Sequence, residues 1–402
     1  MDFQTVNRLN VRINLISGNL FPMTTDNSRF SIGWKIYSAV TWLIIIAIII
    51  AFSVGFMMVS KKKVISDGMI GTVFAIEVLF LVARIHMHKD LVKQLIQNVN
   101  DILRVQDETM RRVVRTSLHL VHSSAKFYWM SGIITVIIWI VMPLTAAFKK
   151  NCFIYEDYRL PLAISRQPFS TEMFLLGSLL LVFGSVYVIL KKAAVDIYML
   201  NFVMLMTAQY RYIAVKLEEI FRERNSQDKR DNFEKQNHPT TDSWSETEMK
   251  AVCRHHKTVV LMSTTLKKLL SSNFCLIYIS SILRFSFVGV MLSNTALLKT
   301  VVERIAMVFF ACGEILQFYI LCLNVQKLLD ASTEMTDMAF HENWYQSRLS
   351  IKRKFMFIIL GNNLKCRIAS FEKFSISLPS FMTIMNQSYS ITLLCLKLVK
   401  KE

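Results

Sequence analysis

Seven cysteines and eight histidines are the side chains of this chain best suited to bind a metal or attack a substrate. None stands in a pattern that serves either purpose. The cysteines are odd in number and show no CxxC or CxxCH spacing, so neither a zinc site nor a disulfide framework is indicated. Most lie in apolar runs, where a free cysteine behaves as a small packing residue. His86 and His88, His119 and His122, and His255 and His256 stand in no recognised metal-ligand motif. G-x-S-x-G, Walker A and H-E-x-x-H runs are missing from the sequence. The residues therefore signal no enzyme, no metal and no cofactor.

Charge buried in apolar sequence is the second place where chemistry shows. Glu77, Arg284 and Glu314 each interrupt a hydrophobic block, at a cost of several kcal/mol inside a membrane unless paired or wetted. Arg284 lies 15 residues before Lys299 and Glu314 lies 15 residues after it. In an antiparallel helical hairpin the two share one depth, so the spacing predicts that Arg284 and Glu314 form an ion pair; the alternative is that each faces water separately. Glu77, at a similar depth, either joins them or lines a cavity. The final block carries Asn386, Gln387, Ser388, Tyr389 and Ser390 consecutively. On a helix Gln387, Ile391, Leu394 and Leu398 share a face, with Asn386, Ser390 and Lys397 along its edge. That pattern suits a pore with polar groups below an apolar constriction, with Leu394 as the gate. The alternative is interhelical hydrogen bonding. The Asn386 sequon lies within the membrane and is expected to stay unglycosylated.

The elements that must hold these residues are helices in a bilayer. At 53% hydrophobic and 19% charged residues the chain is too apolar for a soluble domain of this length. Charge-free runs over 36–60, 127–148 and 374–396 are each long enough to cross about 30 Å of hydrocarbon. Tolerating isolated charges adds four more, giving an all-α membrane protein of seven transmembrane helices. Spans one to four are expected at about 36–60, 68–88, 127–148 and 172–206, within residues 1–206, with a cytoplasmic loop at 89–126. Residues 207–268 read as cytoplasmic helices with a disordered loop between Arg222 and Ser245, which is charged and poor in apolar residues. Spans five and six fall in 269–328, a cytoplasmic segment in 329–373, and span seven in 374–398. With a cytoplasmic N-terminus and an extracellular C-terminus, the inside segments hold thirty Lys and Arg against twelve outside. Residues 1–31 lack the apolar stretch of a cleavable signal peptide. The net charge of +18 sits in loops beside the spans, where it sets topology and attracts lipid headgroups, so nucleic acid is not an expected partner.

Four stretches carry a resemblance: AVDIYMLNFVMLMTAQYRYIAVKLEEI at 194–220, ENWYQSRLSIKRKFMFII at 342–359, FEKFSISLPSFMTIMNQSYSITLL at 371–394, and GNLFPM at 18–23. With the seven-span layout and long fourth helix, the chain resembles an insect odorant receptor, as a ligand-tuned subunit rather than the coreceptor. The resemblance implies a ligand-gated non-selective cation channel in the plasma membrane of an olfactory neuron dendrite. It also implies a heterotetramer with the odorant receptor coreceptor and a small volatile apolar ligand held in the outer half of the bundle. It implies a cytoplasmic anchor, mapping to about 197–222, 250–271, 323–340 and 349–363, with Trp344 and Tyr345 leading into it. Large apolar and aromatic residues at suitable depth are Phe74, Val78 and Leu81 in span two, Trp139 and Met142 in span three, Phe183 and Tyr187 in span four, and Phe287 and Met291 in span five. Trp139 and Tyr187 combine an apolar face with a hydrogen-bonding edge and are the foremost of these. A gustatory-type channel of the same superfamily is the alternative, although its Thr-Tyr and Gln-Phe ending is missing here. A seven-helix G-protein-coupled receptor is the other, although its Asp-Arg-Tyr and Asn-Pro-x-x-Tyr motifs are missing too. Two related halves, the mark of a secondary transporter, are not detectable.

Overall fold

The computed structural model describes every residue except 25–29, 61–62, 64–68, 105–106, 142–151, 159, 165, 232–238, 294–300, 342–343, 366–375 and 400–402. Within these bounds the chain is helical and carries no strand beyond one isolated antiparallel bridge, Phe153 to Phe169. The helices in order are α1 (Phe3–Val6), α2 (Arg8–Ser17), α3 (Ile32–Met58), α4 (Met69–Met87), α5 (Lys89–Arg104), α6 (Glu108–Val141), α7 (Thr171–Asp231), α8 (Pro239–Ser293), α9 (Val301–His341), α10 (Leu349–Lys365) and α11 (Leu378–Val399).

By length and apolarity α3, α4, α7, α8 and α9 can each cross a bilayer. The expected third span falls in α6, which runs without a break from a basic half into an apolar one and is described as far as Val141. The expected seventh span falls in α11. The disorder expected over Arg222 to Ser245 is not what the described part shows: α7 continues to Asp231 and α8 begins at Pro239. The physical reason is local. Between Arg222 and Asp231 neither glycine nor proline interrupts the sequence, and proline is well tolerated as the first residue of a helix because its missing N–H is one that the helix leaves unpaired.

At about 1.5 Å per residue, the 61 residues of α7 make a rod on the order of 90 Å long. It is the hub of the fold, packing against α2, α3, α4, α6, α8 and α9. From Lys191 to Tyr210 every residue is buried, so that part of the helix needs partners on all sides. The amphipathic α5 packs on α8 and turns Val92, Leu95, Ile96, Val99 and Leu103 into the same core. Asp107 fixes the junction that follows. One carboxylate oxygen accepts from the Thr109 backbone N–H at 2.8 Å, opening α6, and the other accepts from the Tyr212 hydroxyl on α7 at 2.7 Å. Partial burial alone would raise the Asp107 pKa, but the Tyr212 bond and Lys216 at 3.6 Å hold it below the ordinary carboxylate value.

The remaining side of α7 is covered by the chain's own beginning. Phe3 stacks on Phe202 at 5.1 Å, and Ile13 packs on Ala194 and Ile197. Asn14 then exchanges two hydrogen bonds with the backbone of Phe21, closing the turn Gly18-Asn19-Leu20. Lys191 reaches across to donate to the Ser17 carbonyl at 2.9 Å while its ammonium lies 4.1 Å from the Trp42 ring centre. Gly18 makes the turn possible. It has φ +69°, and a Cβ there would lie 2.8 Å from the Thr41 hydroxyl and 3.3 Å from the Ser38 Cα. Gly18→Ala is expected to lower stability by about 1–2 kcal/mol from the left-handed backbone alone, with the crowding added. The check is the thermal midpoint of the purified chain, which should fall.

A second core closes the other end of α3 and α7. Phe153 stacks on Phe174 at 4.2 Å, Tyr158 packs on Phe169 and Phe174, and the Tyr158 hydroxyl donates to the Met173 carbonyl. The Ala163 N–H donates to the Ala51 carbonyl at 3.1 Å, tying the 152–170 segment to α3.

Candidate functional site

Five charged side chains from four helices meet inside the bundle. Glu77 comes from α4, Lys192 and Asp196 from one turn of α7, Arg284 from α8 and Glu314 from α9. The Arg284 guanidinium, 2% exposed, donates through Nη1 to Glu314 and through Nη2 to Ser281 at 3.3 Å; its Nε lies 3.5 Å from Glu77. Lys192 Nζ donates to both oxygens of Asp196, at 2.6 and 2.7 Å, and lies 3.1 Å from the other Glu77 oxygen. Gln317, one turn along α9 from Glu314, donates through Nε2 to Asp196. The Arg284 guanidinium carbon stands 5.4 Å from the centre of the Phe74 ring. Each ion has an opposite charge within reach, which is the condition for keeping charge in a low-dielectric interior.

Between α7, α8 and α9 this network borders a narrow cleft. Its cavity volume is about 20 Å³, room for about one water molecule. Lys192, Asp196, Arg284 and Gln317 form its polar side. Leu200, Ile277, Phe318 and Leu321 form the apolar side. A polar group about the size of one water fits without rearrangement, and anything longer must displace side chains.

The structure brings Arg284 and Glu314 together, and Glu77 stands with them. The seven expected ligand residues whose side chains are described do not gather into one site. Phe74, Val78 and Leu81 line the inner face of α4 within the main core. Phe287 and Met291 belong to a separate cluster with Ile70 and Met307. Phe183 is 58% exposed: it stands nine residues before Lys192, on the opposite side of α7, so it does not share the interior of the bundle. Tyr187 is partly buried and contacts Tyr37 on α3, with the two hydroxyls 3.5 Å apart. The Trp139 side chain and Met142 lie outside the described residues. Lys192, Asp196 and Gln317 were not expected in any site. The signal for the first two was an i, i+4 opposite pair just past an apolar block; for Gln317 it was one helical turn from Glu314.

On α11 the side packed against the bundle is defined by hydroxyls. Ser388 donates to the Ile282 carbonyl at 3.3 Å, Ser286 donates back to the Ser388 carbonyl at 3.2 Å, and Thr392 donates to the Ser286 carbonyl at 3.2 Å. Gly289 lets the helices approach; a Cβ there would sit 2.6 Å from the Thr392 hydroxyl oxygen. Tyr278 donates to Gln387 at 3.4 Å. The outward arc is split. Thr383, Asn386, Gln387, Ser390 and Leu394 lie on one flank, and Met382, Tyr389 and Leu393 on the other. Ile391 is half-buried at the edge of the first flank, and the Leu398 side chain lies outside the described residues.

Comparison with known proteins gives the arrangement its context. A family model described as 7tm Odorant receptor matches residues 63–389. Odorant receptor 85f of Drosophila melanogaster is 24% identical over 98 residues, which is 24% of this chain and 25% of that relative, so the matched stretch spans about a quarter of its length. The olfactory receptor OR5 of Machilis hrabei has the same fold. Its structure superposes over 98% of both chains with a TM-score of 0.79 at 11% identity. Its complex with eugenol superposes over the same shares with a TM-score of 0.78 at 12% identity. With a family match across most of its length and a helical membrane fold shared from end to end, the chain belongs to the 7tm odorant receptor family, a family of receptors and not of enzymes.

Proposed function

We propose that this odorant receptor is the ligand-tuned subunit of a cation channel, holding a small volatile molecule inside the helix bundle and opening a pore lined by α11. The observation that supports this most is α11 itself. One side is fastened to α8 by hydroxyl groups, while a flank carrying Asn386, Gln387, Ser390 and Leu394 is exposed, Gln387 at its edge also accepting from Tyr278. A helix in lipid that presents amides outward is costly unless those amides meet water or another subunit. The overlay with a receptor that has been solved in complex with eugenol supports a volatile aromatic as a first ligand to try.

The topology in this reading is N-terminus inside and C-terminus outside, with 89–126, 207–268 and 329–373 in the cytosol. The surface of α10 supports assembly with other subunits, a shared coreceptor among them: Leu349, Phe357 and Leu360 are exposed, Phe357 to 72%. An apolar helical face of this kind is ordinarily covered by a partner. Tyr187 and the α4 residues Phe74, Val78 and Leu81 remain the proposed ligand contacts.

The test is current recording from cells expressing the chain with and without a coreceptor, across an odorant panel that includes eugenol. Evoked cation current that depends on the chain is the expected result. Ligand responses that instead require a G protein, or a terminal tag showing the N-terminus outside, would overturn the reading.

The cytoplasmic part of α8 adds a pH dependence. Burial pushes both His255 and His256 from 6.5 down to about 4, and the Tyr212 ring packs on His255 at 5.1 Å. Both are neutral in the fold at neutral pH, whereas in the unfolded chain they take up protons below about 6.5. The unfolded state therefore binds more protons between about pH 4 and 6.5, and stability falls as pH drops through that window. The thermal midpoint should decrease from pH 7 to pH 5, and less steeply in a His255→Gln, His256→Gln double variant.

A further inference from the structure

The polar side of the cleft between α7, α8 and α9 carries more negative than positive charge and a buried acceptor to spare. The three hydrogens of the Lys192 ammonium face two Asp196 oxygens and one Glu77 oxygen. Arg284 is engaged by Glu314, Ser281 and Glu77. Against those two cations stand three carboxylates, Glu77, Asp196 and Glu314, so the buried group carries one negative charge in excess when all are ionised. The Gln317 amide shows the same imbalance. Its nitrogen donates to Asp196, which fixes the orientation of the amide, and its Oε1 is buried with no hydrogen-bond partner.

From this we infer that the cleft is a ligand subsite for a small apolar molecule that carries a hydrogen-bond donor, an alcohol or amine head group, and that it refuses anions. The inference rests on the chain being the ligand-binding subunit. The donor occupies the water-sized space beside Gln317 and Asp196, and the hydrocarbon part enters by displacing the apolar side chains Leu200, Ile277 and Phe318. An acceptor-only molecule leaves Gln317 Oε1 unpaired, and a carboxylate adds a second uncompensated negative charge. Discrimination of this kind is steep, because a ligand lacking the donor leaves the buried acceptor unpaired.

The experiment uses the purified full-length chain in lipid nanodiscs and four probes on one carbon skeleton: 1-hexanol, hexylamine, hexyl methyl ether and hexanoate. Binding is read as the concentration needed for half of the maximal shift in thermal midpoint. Expected are 1-hexanol and hexylamine at concentrations about tenfold or more below the ether, the equivalent of about 1.4 kcal/mol, and no shift with hexanoate. In Gln317→Leu the gap between alcohol and ether should close. In Gln317→Glu, which keeps an acceptor and adds charge, hexylamine should gain over 1-hexanol. Equal binding of ether and alcohol, binding of hexanoate, an unchanged gap in Gln317→Leu, or no binding by any probe overturns the inference. The readout needs no current, so binding with this pattern and no evoked current would tell against the channel reading and uphold the subsite.

Discussion

Arg284→Ala is expected to be the most damaging single substitution in the bundle, lowering stability by about 3–5 kcal/mol, because it takes the paired cation from Glu314 and leaves Glu77 and Asp196 to share Lys192 in a buried interior. In cells the readout is loss of surface expression. Arg284→Lys should recover only part, since one ammonium cannot meet Glu314, Ser281 and Glu77 with the planar geometry that the guanidinium supplies. Exchanging the charges of Arg284 and Glu314 would test a simple pair, but the structure makes the group larger than a pair. A glutamate at position 284 would face Glu77, so the double swap is expected to rescue only when combined with Glu77→Gln. Full surface expression of Arg284→Ala would mean that water reaches these carboxylates.

The second large effect is expected at Leu394, which is 59% exposed on the polar flank of α11 and has no role in holding that helix to α8. If an apolar ring of such residues closes the pore by dewetting, Leu394→Ser lets water through and raises the resting current severalfold, on the order of what loss of a hydrophobic gate produces. Stability should stay within about 0.5 kcal/mol of the parent, as for other exposed positions. Thr392→Val is the contrast. It removes the bond to the Ser286 carbonyl and should change α11 packing without making the flank more polar. Resting and evoked currents identical to the parent's in Leu394→Ser would remove it as the gate.

Much of this was legible in the sequence, and the limits have physical causes. Long apolar runs give membrane helices because a bilayer leaves a backbone little alternative, and the family resemblance followed from phrases spread over nearly the whole chain. Arg284 and Glu314 could be matched in depth because a short hairpin fixes the register of its two helices. The ligand residues could not be matched in the same way. Each was chosen for size and depth, and depth does not say which way a side chain turns around its helix: Phe183 and Val78 are equally apolar, yet one faces outward and the other inward.

Gln317 and the N-terminal cover were hidden for a related reason. A single glutamine in an apolar run has no periodicity, and the polar helix of residues 8–17 buries Asn10 and Asn14 against α7, contrary to what its composition suggests. Composition and spacing by themselves determined the helical membrane class, the paired depth of Arg284 and Glu314, and the polar interruption of the last helix. These depend on the chain's local chemistry and on the thickness of a bilayer. Only the tertiary structure decided that five charges share one network, that this network borders a cleft rich in acceptors, and which face of α11 is left uncovered. Those depend on how helices distant in sequence rotate against one another, and that rotation is set by packing between them, which no local pattern encodes.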